Sequence, residues 1–122
     1  MTEIKHTPGP WSYCVEPMEN GAPFGTVMGS NGESIVYMTL DPDHILANAR
    51  LIASAPELLE ACEAMIAWDD AEKAGPDYGS LTRDTHPEGE AIWRKWWDGQ
   101  SELCARAFSL ARVAIAKAKG EA

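Results

Sequence analysis

The C-terminal third of the chain combines arginine and aromatic side chains at spacings that suit the capture of a phosphorylated molecule. In a helix at 100° per residue, one narrow stripe contains Phe108, Arg112, Ile115 and Lys119. Arginine binds phosphate oxygens bidentately, and aromatic faces stack on nucleobases. On this chemistry alone, the candidate ligand-binding residues of the segment are Trp93, Arg106, Phe108 and Arg112.

The same side chains also fit a purely structural interpretation. The indoles of Trp93-Arg94-Lys95-Trp96-Trp97 either fill the core or an interface, or they face a ligand. The basic residues of the last helix equally suit the negative, C-terminal end of the helix dipole. Sequence alone leaves these alternatives open.

No residue pattern typical of an enzyme or a metal centre is present. The histidines are scattered without ligand spacing, and Asp41-x-Asp43-His44 favours helix capping over metal binding. No two of the three cysteines have C-x-x-C spacing, and no nucleophile signature surrounds them. We therefore expect a protein without catalytic residues, metal or cofactor.

The first 40 residues are predicted to form a small antiparallel sheet. Trp11, Tyr13 and Val15 alternate with polar or small residues, which is the period of a half-buried strand. Asn31-Gly32 between two β-prone runs is typical of a hairpin turn, because both turn residues then adopt positive φ.

Residues 41–122 are predicted to be helical apart from one loop at 76–89. A short helix at 42–53 begins at Asp41-Pro42, and Ser54 with Glu57 fits a capping box for a second helix. The predicted apolar face of this second helix comprises Ala55, Leu58, Leu59, Cys62, Met65 and Ile66. Three glutamates off that face are interpreted as solvated: Glu57, Glu60 and Glu63.

A last helix is expected from about Glu90 to Lys119, with Gly99 as a point of kinking or interruption. Its main stripe is alanine-rich and allows close approach of a partner helix: Leu103, Ala107, Leu110 and Ala114. The predicted fold class is therefore α+β, a single domain over 1–122 whose N-terminal sheet caps two long helices.

Composition limits the possible partners. Residues 1–93 carry 16 of the 19 acidic side chains and 4 of the 10 basic ones, and the net charge is −9. Such a body repels nucleic acid and anionic membranes, although a local basic strip still admits one small anion. Five tryptophans in so short a chain favour a homo-oligomer. The absence of a signal peptide or long apolar run predicts a cytoplasmic protein.

Two segments carry a resemblance to known proteins: His6-Thr7-Pro8-Gly9-Pro10-Trp11, and Ala47-Asn48-Ala49-Arg50-Leu51-Ile52-Ala53-Ser54-Ala55-Pro56-Glu57-Leu58-Leu59-Glu60-Ala61. Both resemble motifs of short proteins encoded in phages and prophages. The overall plan of sheet, short helix and two long helices is similar to the Thoeris anti-defence sponge, which sequesters cyclic ADP-ribose signals. That resemblance implies an oligomer that holds a nucleotide between helices and loops without cleaving it, and it makes Arg50 the first candidate for a phosphate contact.

Three hypotheses follow for the function, of which the third is a structural or regulatory phage protein with neither of the two activities that follow. The first is a phage-encoded counter-defence protein of an infected bacterial cell that sequesters a nucleotide second messenger, either of the cyclic ADP-ribose type or a cyclic oligonucleotide. Its site would use Arg50, Arg106, Arg112, Phe108 and Trp93, with the loop at 76–89 closing over the ligand. The second is an acidic inhibitor that binds a host defence complex, in part by mimicking nucleic acid, and the acidic residues of 41–90 favour it.

Overall fold

A computed structural model describes residues 5–17, 23–38, 43–75 and 88–121. Within these ranges the strands β1 (Ser12–Pro17), β2 (Pro23–Met28) and β3 (Ser34–Met38) form an antiparallel sheet in the order β1-β2-β3. Three helices follow, α1 (Ile45–Ala53), α2 (Ala55–Lys73) and α3 (Gly89–Lys119). The predicted α+β class, with its sheet at the N-terminus and two long helices, is confirmed.

The hairpin between β2 and β3 is the one predicted from Asn31-Gly32. Gly32 has a φ of 80°, and its N–H donates to the carbonyl of Gly29 at 3.0 Å. The Asn31 side chain closes the turn by accepting a hydrogen bond from the N–H of Glu33 at 3.0 Å. Glycine and asparagine are thus required here by backbone conformation and by local hydrogen bonding.

One face of the sheet packs on α1. Val27, at the centre of β2, is fully buried, and Gly25 lies under the side chain of Ile45. A Cβ at Gly25 would stand 3.3 Å from Ile45 Cδ1, so the missing side chain allows the close approach of the helix. The opposite face of the sheet, which carries Cys14 and Tyr37, bears no helix within the described residues.

The start of the helical part differs from the prediction. Asp41 and Pro42 lie outside the described residues, and α1 begins at Ile45 with His44 as N-cap. The predicted capping box at the start of α2 is wrong. Ser54 has helical dihedral angles, so its hydroxyl donates back to the carbonyl of Arg50 at 2.8 Å and caps no N–H group.

The helices α2 and α3 form an antiparallel pair joined along an alanine seam. Ala61 and Ala64 of α2 and Ala107 and Ala114 of α3 are all buried, as expected for the alanine-rich stripe of the last helix. Gln100 is also buried in the seam, where its amide donates to Glu72 Oε2 at 2.7 Å and to the Trp68 carbonyl at 3.4 Å.

The predicted weak point at Gly99 does not interrupt the last helix, because α3 continues through it. The intrinsic cost of one glycine in a helix is about 1 kcal/mol, which packing on both sides of this position exceeds. The helix begins at Gly89, one residue before the predicted start; residues 76–87 of the predicted loop at 76–89 lie outside the described residues.

The apolar face predicted for α2 is largely exposed. Leu59, Met65 and Ile66 are 45%, 46% and 60% exposed, because α2 turns its alanines and Trp68 toward α3 instead. Small side chains at the contact allow the axes of α2 and α3 to lie closer together than leucine and methionine would. This close approach decides which face α2 turns toward α3. No helix of the described ranges is long and apolar enough to cross a membrane.

Candidate functional site

The structure places Arg50 beside the C-terminal end of α3. Its Nε donates to the hydroxyl of Tyr13 at 3.2 Å, and a Cβ at Gly120 would lie only 2.5 Å from its Cζ. The guanidinium is half-buried there, close to the negative end of the α3 dipole. Arg50 therefore links β1, α1 and α3 within the fold.

The other two candidate arginines lie on different flanks of α3. Arg106 faces Glu60 of α2 across 3.6 Å, with both side chains more than half exposed. Arg112 lies six residues further on, so that its direction differs by about 120° around the helix axis. Its Cζ stands 5.9 Å from the centre of the Phe108 ring, and that ring lies 6.1 Å from the ring of Trp68.

Trp93 lies at the opposite end of α3 from Arg50. Its ring stacks on Trp97 at 5.6 Å with an interplanar angle of 10°. Fifteen residues of helix, or about 22 Å, separate it from Phe108. Of the five candidates, only Phe108 and Arg112 are in contact, and the set does not line one cavity of a single chain.

The tryptophans of the segment 93–97 have different environments. Trp96 fills the space between α2 and α3, where its Nε1 donates to the Ala71 carbonyl at 3.3 Å and its ring lies against Gly75. Trp97, in contrast, is 50% exposed. Part of the cluster is therefore core, as one of the two interpretations had it, and part lies on the surface.

A different site is formed where the two motif segments meet. Gly9 packs on the start of α2, since a Cβ at Gly9 would stand 3.1 Å from Pro56 Cβ. The segment around it is fixed by its own hydrogen bonds: the indole of Trp11 donates to the Thr7 carbonyl at 2.9 Å. The Ser30 hydroxyl donates to the Pro8 carbonyl at 3.2 Å.

Lys117 joins this segment to both long helices. From the last turns of α3, its Nζ donates to the Trp11 carbonyl at 2.9 Å and to Glu57 Oε1 at 2.7 Å. The side chains of Lys117 and Glu57 are 29% and 24% exposed, so the pair is largely withdrawn from water. One ammonium group thus fixes the N-terminal segment, the first turn of α2 and the end of α3 relative to one another.

Beside this junction lies an open cleft of about 420 Å³. Its walls are formed by the two motif segments and by the next turn of α2: His6, Gly9, Pro10, Pro56, Glu57, Leu59, Glu60 and Glu63. A volume of this size lies within the range of small-ligand sites. Its floor is apolar, with proline rings and Leu59, and its charged wall residues are carboxylates.

The carboxylates of this cleft retain free hydrogen-bonding capacity. Glu57 Oε2 is buried without a hydrogen-bond partner within the described ranges. Glu63 makes no ion pair with any described residue, whereas Glu60 has only the long, exposed contact with Arg106. The electrostatics of the cleft therefore favour a hydrogen-bond-donating cation, such as a guanidinium or an ammonium, and disfavour a phosphate.

The sequence does not predict this site, although it contains both motif segments. The spacing i, i+3 of the glutamates favours a solvated face, and nothing local indicates that the His6–Trp11 segment folds back onto them. Among the described residues no group of histidines, cysteines and carboxylates is arranged to hold a metal ion.

A second concavity, of about 310 Å³, lies on the sheet face that carries no helix, where the rings of Phe24 and Tyr37 stack at 5.7 Å. At its edge the thiol of Cys14 donates to Glu16 Oε1 at 3.4 Å. This hydrogen bond, together with the negative charge of the carboxylate, raises the pKa of Cys14. A raised pKa leaves less of the Cys14 thiol in the thiolate form, which is the nucleophilic one.

Comparison with known proteins connects the chain to phages. No curated protein and no solved structure shows significant similarity to it. The sequence profile of one family, described as Salmonella phage P22 protein Y8K6, matches residues 1–122, which is the whole chain. The phage origin expected from the two motif segments is thereby supported, and the chain belongs to the Salmonella phage P22 protein Y8K6 family.

Proposed function

We propose that this phage protein is a non-enzymatic binding protein that captures a basic segment of a host protein in the cleft between its two motif segments. This proposal corresponds to the second hypothesis, an acidic inhibitor of a host defence complex, and it assigns the cleft as the contact surface. The observation that supports it is the cleft's wall of glutamates, of which Glu63 has no partner among the described residues and Glu57 keeps an orphaned acceptor.

The shape and charge of the cleft suit an arginine or lysine side chain. A long basic side chain would lay its methylene groups on Pro10, Pro56 and Leu59 and direct its charged end to the carboxylates. Hydrogen bonds between ionised partners are about twice as strong as neutral ones. The net charge of −9 would accelerate the approach of a basic surface and make association sensitive to salt.

Photo-crosslinking during infection tests this proposal. A benzoyl-phenylalanine at Leu59, which is 45% exposed at the cleft, should capture a host protein, whereas the same group at Val113, which is 61% exposed on α3, should not. The double substitution E60Q/E63Q should abolish the Leu59 adduct, and Glu102→Gln, which removes an exposed charge of α3, should not. An adduct that persists in E60Q/E63Q, or that forms equally at Val113, would count against the cleft.

Sequestration of a nucleotide second messenger is the second candidate function. It is favoured by one observation, the guanidinium of Arg112 over the exposed ring of Phe108 beside Trp68. Among the described residues, phosphate pairing and base stacking at this point would involve one arginine, so a second copy of the chain would have to complete the site.

Calorimetry separates the two candidates. If the protein is a messenger sponge, then cyclic ADP-ribose binds to it, Arg112→Ala weakens binding at least tenfold, and Arg94→Ala, another exposed arginine of α3, leaves binding unchanged. Heat denaturation of the purified protein should then release the intact nucleotide. Absence of any bound or binding nucleotide, together with a protein adduct at Leu59, would leave the inhibitor as the function.

A further inference from the structure

One flank of the α2–α3 pair exposes an unusual amount of apolar surface. This aromatic flank comprises Met65 and Trp68 of α2 with Trp97, Cys104, Phe108 and Ile115 of α3. Trp97, Phe108, Met65 and Ile115 are each exposed by 46–50%. Between Trp68 and Trp97 the flank is indented by a groove of about 370 Å³, whose floor is the buried Gln100.

The large side chains of the flank are not used in the core of the chain. The side chains buried in the α2–α3 seam are four alanines and Gln100, with Trp96 packed against Gly75 at its end, and the largest fully buried side chains of the described residues are Val27 and Ser54. In folded proteins large aromatic side chains are on average highly buried, because each removes a large apolar area from water. The arrangement therefore corresponds to half of a helical bundle whose second layer is supplied from outside.

The exposed area is sufficient for a stable interface. A large side chain that is half exposed offers about 100 Å², so the four half-exposed side chains of the flank present roughly 400 Å² of apolar surface. A standard protein interface buries about 800 Å² on each partner, of which little more than half is apolar. The flank alone therefore supplies most of the apolar part of such an interface.

The charges of the two helices identify the partner. α2 carries six acidic side chains and one basic one, whereas α3 carries six basic and three acidic ones. Five of these charges lie at the cleft or on the opposite flank: Glu57, Glu60, Glu63, Arg106 and Lys117. Without them α2 keeps three acidic side chains and one basic one, and α3 keeps four basic and three acidic ones. A second copy of the chain would offer an acidic helix to α3 and a basic helix to α2. No other partner is needed to complement both helices at once.

We propose that two copies associate through the aromatic flank about a two-fold axis parallel to α2 and α3. Each α2 then lies antiparallel on the α3 of the other copy, and the four helices form a bundle. A two-fold axis perpendicular to the helices would instead place α2 on α2 and α3 on α3, with like charges opposed. Because Glu60 and Arg106 lie on the other flank, the dimer keeps the clefts of both copies open.

Sedimentation equilibrium of the full chain tests this proposal. The wild type should be a dimer, and Phe108→Asp and Met65→Asp should each raise the dissociation constant at least about 100-fold, since each places a charge in the centre of the interface on both copies. Val113→Asp is the matched control, since Val113 is 61% exposed and about 140° away from Phe108 around the axis of the same helix. It should leave the dimer intact.

Salt distinguishes the two possible axes. If α2 faces α3 of the other copy, raising NaCl from about 50 to about 500 mM should increase the dissociation constant; if like helices face each other, it should decrease it. A wild type that is monomeric at millimolar concentration, or a dimer that Val113→Asp disrupts and Phe108→Asp does not, would overturn the proposal. Circular dichroism of each variant establishes that the chain still folds. None of these outcomes depends on whether the cleft binds a host protein.

Discussion

The junction held by Lys117 leads to a quantitative prediction for the substitution Lys117→Met. The change removes two hydrogen bonds from a charged donor, to Glu57 Oε1 at 2.7 Å and to the Trp11 carbonyl at 2.9 Å, and shortens the unbranched side chain by one atom. Each such bond contributes about 1.5–3 kcal/mol when fully buried. Because the two side chains retain about a quarter of their exposure, we halve the sum for the two bonds and expect a loss of about 2 kcal/mol in the free energy of unfolding.

Thermal and urea denaturation measure this loss. For a chain of this length, about 2 kcal/mol corresponds to a decrease in Tm of about 8 °C. Lys119→Met is the matched control, because it removes the same charge from an exposed residue of the same helix. Lys119 has no hydrogen bond or ion pair within the described residues. It should change the free energy of unfolding by less than about 0.5 kcal/mol.

A double-mutant cycle with Glu57→Gln isolates the pair. We expect a coupling energy of about 1 kcal/mol or more between positions 57 and 117, because the two side chains are in direct contact. Equal stability of the Lys117→Met and Lys119→Met variants, or a coupling energy near zero, would show that the junction is not held in this way.

Two further predictions concern single residues. Glu16→Gln should lower the pKa of Cys14 and so increase its rate of alkylation by iodoacetamide at pH 8, because the carboxylate that accepts a hydrogen bond from the thiol and repels the thiolate is lost. The exposed Cys62 serves as internal reference in peptide mass spectrometry. An unchanged ratio of the two alkylation rates would refute the cause given for the raised pKa. Gly99→Ala should stabilise the chain by about 1 kcal/mol in urea denaturation, since a Cβ there has open space in a helix. Gly120→Ala should destabilise it, since its φ is 74° and a Cβ would collide with the guanidinium of Arg50. A change of the same sign for both substitutions would contradict these two expectations.

The sequence predicted the elements of this fold well because their signals are local. The hairpin at Asn31-Gly32 follows from backbone conformation, and the alanine-rich stripe of α3 follows from periodicity. Local signals failed where a choice depends on the partner element. The face that α2 buries is decided by how closely α3 can approach, and the capping box at Ser54 was lost because α1 continues in helical geometry up to that residue.

The candidate site was predictable only in part. Phe108 and Arg112 are in contact as their spacing of one helical turn predicts. Arg50 and Trp93 lie at opposite ends of α3, and convergence over such a distance is a property of tertiary structure that no spacing in the sequence reports. The cleft itself depends on a contact between Gly9 and Pro56, 47 positions apart. Its acidic character was visible only once those segments were together.

The most direct test of the proposed binding site is a titration of the ¹⁵N-labelled protein with a short peptide of alternating arginine and glycine, followed by NMR. We expect the amide shifts to concentrate at His6, Gly9 and the α2 turn from Leu59 to Glu63. They should vanish in the variant E60Q/E63Q but persist in Glu102→Gln. Shifts spread over the whole acidic surface, or shifts that survive E60Q/E63Q, would contradict it.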